Sequence, residues 1–125
     1  MTNKYMYFVA NWKMFGDLRT LNSLDKVIKF SKNNKKNKLK IVYCPPNTLI
    51  RPLSRRLKKT KIEVGAQNCH HSYVYGAYTG QVNSNMLKNV GVQLRLVMLY
   101  LENNLSDKLN SIPKIYIIVS LLIKA

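Results

Sequence analysis

Asn11 and Lys13 stand two residues apart in the segment 8-FVANWKMFG-16, straight after an apolar run. Residues Tyr5 to Ala10 read as a buried strand, so a period of two points both side chains to one face at its C-terminal end. An ammonium and an amide held side by side there can bind an anionic, oxygen-rich ligand. Spacing alone favours a blander reading, a strand-end lysine that reaches solvent. The other chemistry-bearing cluster is 69-CHH-71. Adjacent residues rarely aim three ligands at one metal, and no second cluster joins them, so no metal site is expected. Cys44 and Cys69 each end an apolar run and no CxxC spacing exists. Both read as reduced thiols of a cytosolic protein.

The elements that must position these residues alternate. After the first strand, Asp17 can cap a helix whose Leu18, Leu21, Leu24, Val27, Ile28 and Phe30 recur at helical spacing. The run 32-KNNKKNK-38 is a solvated connection. Residues 39-LKIVYC-44 read as a second strand, stopped by Pro45 and Pro46, and a short basic helix follows from about Leu49 to Lys59. Residues 62-IEVGAQ-67 read as a third strand. The loop 68-NCHHSYVYGAYTGQ-81 leads to a helix capped near Asn83 and closed by Gly91. Such β-α-β-α-β-loop-α order predicts an α/β fold with a parallel sheet and crossover helices. Ligands of parallel α/β folds bind at C-terminal strand ends. Asn11, Lys13, Gln67 and Asn68 all fall there.

The chain has 125 residues, 46% of them hydrophobic, which bounds it to one small domain. Its 21 Lys and Arg against 5 Asp and Glu give a net charge of +16. Such a charge suits nucleic acid or another polyanion. Yet Lys, Asn, Ile and Tyr are abundant together and share AT-rich codons, and no run interleaves basic with aromatic residues. Nucleic acid is therefore not the expected partner. A small basic module that binds nucleic acid or another polyanion stands as the alternative function. The N-terminus is polar and then strand-like, so no signal peptide is expected. The run 115-IYIIVSLLI-123 is too short to span a bilayer as a helix. A cytoplasmic location with no membrane partner is expected.

Two ordered blocks resemble triosephosphate isomerase. The first is 8-FVANWKMFG-16. The second is 62-IEVGAQNCHHSYVYGAYTGQVNSNMLKNVG-91, and 45-PPNTLI-50 fits the turn after the second strand. The resemblance runs from about Lys4 to Gln93. It implies an incomplete (β/α)8 TIM barrel, roughly its first three to four β/α units, in residues 1–93. That family interconverts dihydroxyacetone phosphate and glyceraldehyde 3-phosphate in glycolysis and gluconeogenesis and needs no cofactor. By resemblance, Lys13 is the active-site lysine, which neutralises substrate phosphate, and Asn11 hydrogen-bonds the substrate beside it. Thr79, in GAYTG, belongs to the loop that enters a neighbouring subunit, so the resemblance implies a homodimer. Gln67 and Asn68 belong either to the polar network of the site or to ordinary strand-end bonding. His70 matches the family's NCH, whereas His71 departs from the tryptophan common there.

The family's catalytic histidine, in a GHSERR-like segment, should follow Gln93 by a few residues, but no histidine occurs after His71. The family's base glutamate, hinged loop and glycine-rich phosphate grip belong to later parts of its barrel. Proton abstraction needs a positioned base, and neither Glu63 nor Glu102 suits that role. Residues 94–125 are apolar, free of glycine and unmatched. Out of frame, codons permitted at Leu96, Val97 and Met98 contain GGT-CAT, Gly-His, and Leu101 to Asn103 can yield Arg-Lys at the family's spacing. A frameshift near Leu94 is the expected origin of this tail, with a diverged native tail as the rival. The chain is accordingly expected to be a truncated isomerase, inactive alone and poorly stable or self-associating.

Overall fold

A computed structural model describes residues 6–34 and 38–93. Strand β1 covers Met6–Asn11, and β2 covers Leu39–Cys44. They pair in parallel from Met6 opposite Leu39 to Asn11 opposite Cys44. The short β3, Glu63–Val64, pairs in parallel with the far side of β2, giving the order β1-β2-β3. Alternation along the strands sorts the two faces. Val9, Val42 and Cys44 pack together with Tyr7 against them, while Tyr43 and Val64 face the helices. Lys40 and Glu63 form an ion pair at 2.8 Å.

The predicted helix after Asp17 is split. A 3-10 turn spans Arg19–Leu24 and α1 spans Asp25–Asn33. Asp17 does cap the start: its carboxylate accepts the Thr20 N–H at 3.0 Å, and the Thr20 hydroxyl accepts the Asp17 N–H at 2.9 Å. The tighter turn follows from local competition, because the Ser23 hydroxyl donates back to the Thr20 carbonyl at 2.7 Å. A period of three also buries both Leu21 and Leu24. Leu18 and Phe30, expected on the apolar face, are exposed.

Helix α2 covers Asn47–Leu57, starting two residues before its predicted position, directly after the extended Pro46. Leu49, Ile50, Leu53 and Leu57 recur at helical spacing and are buried. Burying a leucine such as Leu53 contributes about 1.5–3 kcal/mol. Strand β3 is shorter than the predicted 62–67. Its pairing with β2 extends by one bond, from the Gly65 N–H to the Tyr43 carbonyl at 2.8 Å. On the other side of β3, Gln93 bonds Val64 twice. Its side chain accepts the Val64 N–H and its own N–H meets the Val64 carbonyl, both at 3.0 Å.

Helix α3 covers Ser84–Asn89. Asn83 caps it by accepting the Met86 N–H at 3.0 Å, as predicted, and Gly91 closes it at φ 97°. A Cβ on Gly91 would lie 1.9 Å from the Ser54 hydroxyl, so glycine also lets the chain pass close to α2. The apolar tail, with its proposed reading frame, lies outside the described residues. Among the described residues, no helix is long and apolar enough to cross a membrane.

Candidate anion-binding site at the strand ends

Parallel pairing brings the C-terminal ends of the strands to one edge of the sheet. Asn11 ends β1 there. The Trp12 N–H continues the ladder to the Cys44 carbonyl at 3.0 Å. The chain then turns sharply, because Lys13 takes the left-handed backbone conformation at φ 55°. This departs from the prediction: strand periodicity does not extend through Lys13, so it cannot set the relation of Lys13 to Asn11. A direct bond sets it instead, the Lys13 N–H donating to Asn11 Oδ1 at 2.8 Å.

Two further features hold the turn. Trp12 is buried and meets Tyr43 edge-on, with ring centroids 5.8 Å apart. Gly16, at φ 102°, lies so near the Trp12 ring that a Cβ would come within 3.1 Å of it. From below, Gln67 Nε2 donates to the Lys13 carbonyl at 2.7 Å and to the Cys44 carbonyl at 2.8 Å. One amide therefore fastens the ends of β1 and β2 to the segment after β3. The Lys13 side chain is exposed and Asn11 is half-buried. An exposed ammonium on a backbone held by the Asn11 and Gln67 side chains presents its charge at a fixed root, which suits recognition of an anion.

The remaining predicted residues lie apart from this corner in role. The Asn68 side chain accepts the Cys69 N–H at 2.8 Å, a local turn contact. Thr79 is exposed in the long loop, beside Gly80 at φ 75°. Asn83 and Asn85 anchor that loop through the Tyr73 carbonyl, at 3.2 and 2.8 Å. The His70 ring packs against those of His71 and Tyr78, with centroids 4.2 and 4.4 Å away, and its Nδ1 accepts the Ser72 N–H. His71 thus packs against a neighbour despite its departure from the family pattern.

Burial pushes the Cys44 thiol up to about 11 and raises the Tyr43 phenol. Neither is prepared as a nucleophile. The Arg19 guanidinium lowers the Asp17 carboxyl. The described carboxylates, Asp17, Asp25 and Glu63, are paired with Arg19, Arg56 and Lys40 respectively. Trp12 and Gly16 support the site beyond the residues that the strand pattern singles out. Their signal was in the sequence, as the one tryptophan and the nearest glycine around Lys13.

The family model for triosephosphate isomerase matches residues 6–98. A triosephosphate isomerase of Wolbachia pipientis is 46% identical over 85 residues, which cover 66% of this chain and 32% of that protein. One of Buchnera aphidicola is 34% identical over 96 residues, covering 75% and 38%. The crystal structure of triosephosphate isomerase from Bartonella henselae aligns with a TM-score of 0.62 at 30% identity, over 72% of this chain and 35% of that one. The chain thus spans about a third of the length of these relatives. The chain belongs to the triosephosphate isomerase family.

Proposed function

We propose that this chain is the opening part of a (β/α)8 barrel that isomerises dihydroxyacetone phosphate and glyceraldehyde 3-phosphate, and that it supplies the substrate-anion corner of that site. The observation that carries this reading is the braced Asn11–Lys13 turn at the C-terminal strand edge. In it Lys13 neutralises the substrate phosphate and the negative charge that develops during proton transfer. Asn11 orients the substrate with its amide. Lys13 does not abstract the proton, since a base must be positioned for that. Residues 1–125 alone therefore bind substrate but do not turn it over.

The same reading makes the protein cytoplasmic and free of cofactors. It makes the loop around Thr79 the contact by which two intact barrels form a homodimer, a triose phosphate being the only small partner. Residues from about Leu94 onward are then translation in a shifted frame. Reading the coding DNA beyond Val90 in all three frames tests this, with Gly-His near Met98 as the expected find.

Two measurements test the functional reading. Titrating the full chain with dihydroxyacetone phosphate should give binding that Lys13→Met abolishes and Lys26→Met preserves. A chimera should then be built from residues 1–93 and the remaining two thirds of the Wolbachia enzyme. It should be active, and Lys13→Met should cost it about a hundredfold or more in kcat/KM. A chimera indifferent to Lys13 would refute the assignment.

A further inference from the structure

Thirteen of the 21 Lys and Arg fall between residues 26 and 62, a stretch that contains no Asp or Glu. The fold gives this charge a place. Arg51, Arg55 and Lys58 follow one another at spacings of four and three, with Lys59 beside them, opposite the buried stripe of Leu49, Ile50, Leu53 and Leu57. All four cations are exposed, as is Lys61 after them.

Two contacts join this stripe to its neighbours. Arg56 pairs with Asp25 at the start of α1, at 2.6 Å, and Arg51 donates to the Asn89 carbonyl at the end of α3, at 3.0 Å. Lys26, Lys29 and Lys32 on α1 and Lys88 on α3 are also exposed. Asp25 is the acid found there, and Arg56 already engages it. Such a surface repels itself and attracts a dense line of negative charge.

Its location separates it from the candidate site. Helix α2 begins just after the C-terminal end of β2 and leads through Lys58–Lys61 into β3. Its basic end therefore lies at the N-terminal edge of the strands, opposite Asn11 and Lys13. Among the described residues, α2 and its following turn expose no large apolar side chain. They therefore offer no aromatic platform for unpaired bases and no apolar anchor for a lipid surface.

We propose that the outer face of α2, centred on Arg55, Lys58 and Lys59, binds the phosphate backbone of duplex nucleic acid without regard to sequence. This assignment is independent of the isomerase reading, and it reverses the expectation from composition, which could not locate the charge.

The test uses the full chain and a fluorescent duplex of about 20 base pairs, followed by anisotropy at several salt concentrations. The expected dissociation constant is about 1–100 μM near physiological salt. The triple variant Arg55→Gln, Lys58→Gln, Lys59→Gln should weaken binding about tenfold or more. It should also reduce the slope of log affinity against log salt by about 2 to 3. A second triple variant, Lys26→Gln, Lys29→Gln, Lys32→Gln, removes the same charge from α1 and should have a clearly smaller effect. Lys13→Met should have none. Circular dichroism confirms that each variant keeps its helices. Equal losses from both triples would show net charge acting alone and overturn the proposal. So would binding to anionic phospholipid vesicles in preference to the duplex, or no binding to the duplex.

Discussion

Asn11 Oδ1 accepts the backbone N–H of Lys13 at 2.8 Å, while Lys13 itself sits at φ 55°. The residue that presents the charge is therefore the residue whose backbone is strained. A left-handed conformation costs a non-glycine residue about 1 kcal/mol. Lys13→Gly is expected to stabilise the chain by up to about 1 kcal/mol while abolishing triose phosphate binding. Asn11→Ala removes the brace and should destabilise by about 1 kcal/mol. Urea unfolding of the two variants beside the parent chain checks both signs. A destabilised Lys13→Gly would mean that the lysine side chain supports the fold.

Gln67 acts on the same turn from a distance of 54 residues in sequence. Its single amide nitrogen serves the carbonyls of Lys13 and Cys44. Gln67→Glu keeps the shape but loses both donors and sets a carboxylate against two carbonyl oxygens. It should destabilise by about 2–3 kcal/mol, more than Gln67→Ala. Hydrogen exchange should show faster opening of the Trp12 amide, which bonds Cys44 beside it. Equal stability of the two variants would contradict this arrangement.

These contacts also explain what was legible in the sequence. The limits of β2 and the cap and stop of α3 were readable because local chemistry fixes them: Pro45 after the strand, Asn83 and Gly91 around the helix. Placing Asn11, Lys13 and Gln67 at one edge needed only the parallel order of strands. The backbone of Lys13 was not readable. Strand periodicity assumes extended residues, and the groups that hold φ 55° come from Gln67 and from packing of Trp12 on Tyr43. The split of the first helix was hidden similarly, since Leu18, Leu21, Leu24 and Val27 recur every three residues, a spacing that fits both helix types.

The buried Cys44 thiol makes stability depend on alkali. Its folded value, about 11, exceeds its ordinary value of 9.0. The protonated form is thus favoured by folding. Its contribution is complete below pH 9 and is lost as pH rises toward about 11. A rise from 9.0 to about 11 corresponds to about 2–3 kcal/mol, and the raised Tyr43 phenol adds to the loss with the same sign. Urea midpoints should fall steeply between pH 9 and 10.5, and less so in Cys44→Ala. Below pH 9, thiol reagents should modify half-buried Cys69 well before Cys44.

Among the described residues, β1 pairs only with β2, and the groove between β1 and α1 is apolar. Its volume is about 320 Å³, and Phe8, Ala10, Val27, Phe30 and Ile41 line it. An unpaired strand edge beside such a groove favours association. Light scattering of the isolated chain should give a mass that rises with concentration. Lys in place of Phe8 should reduce that rise. A monomer with a sharp cooperative melt would contradict this expectation.

Gly91 offers a test of how α3 is set against α2. Two separate constraints act on it, the positive φ and the approach to Ser54. Gly91→Ala meets both. At φ 97° it costs about 1 kcal/mol for conformation alone, and the 1.9 Å approach forces a shift of the Ser54 side chain or of the turn. A total of about 2–4 kcal/mol is expected. Ser54→Gly removes the hydroxyl that the new methyl meets. The double variant should therefore recover the steric part and retain the conformational part. The coupling energy between the two sites should be about 1 kcal/mol or more. Additive losses would show that the strain at Gly91 is purely conformational, leaving the helices free to adjust their spacing.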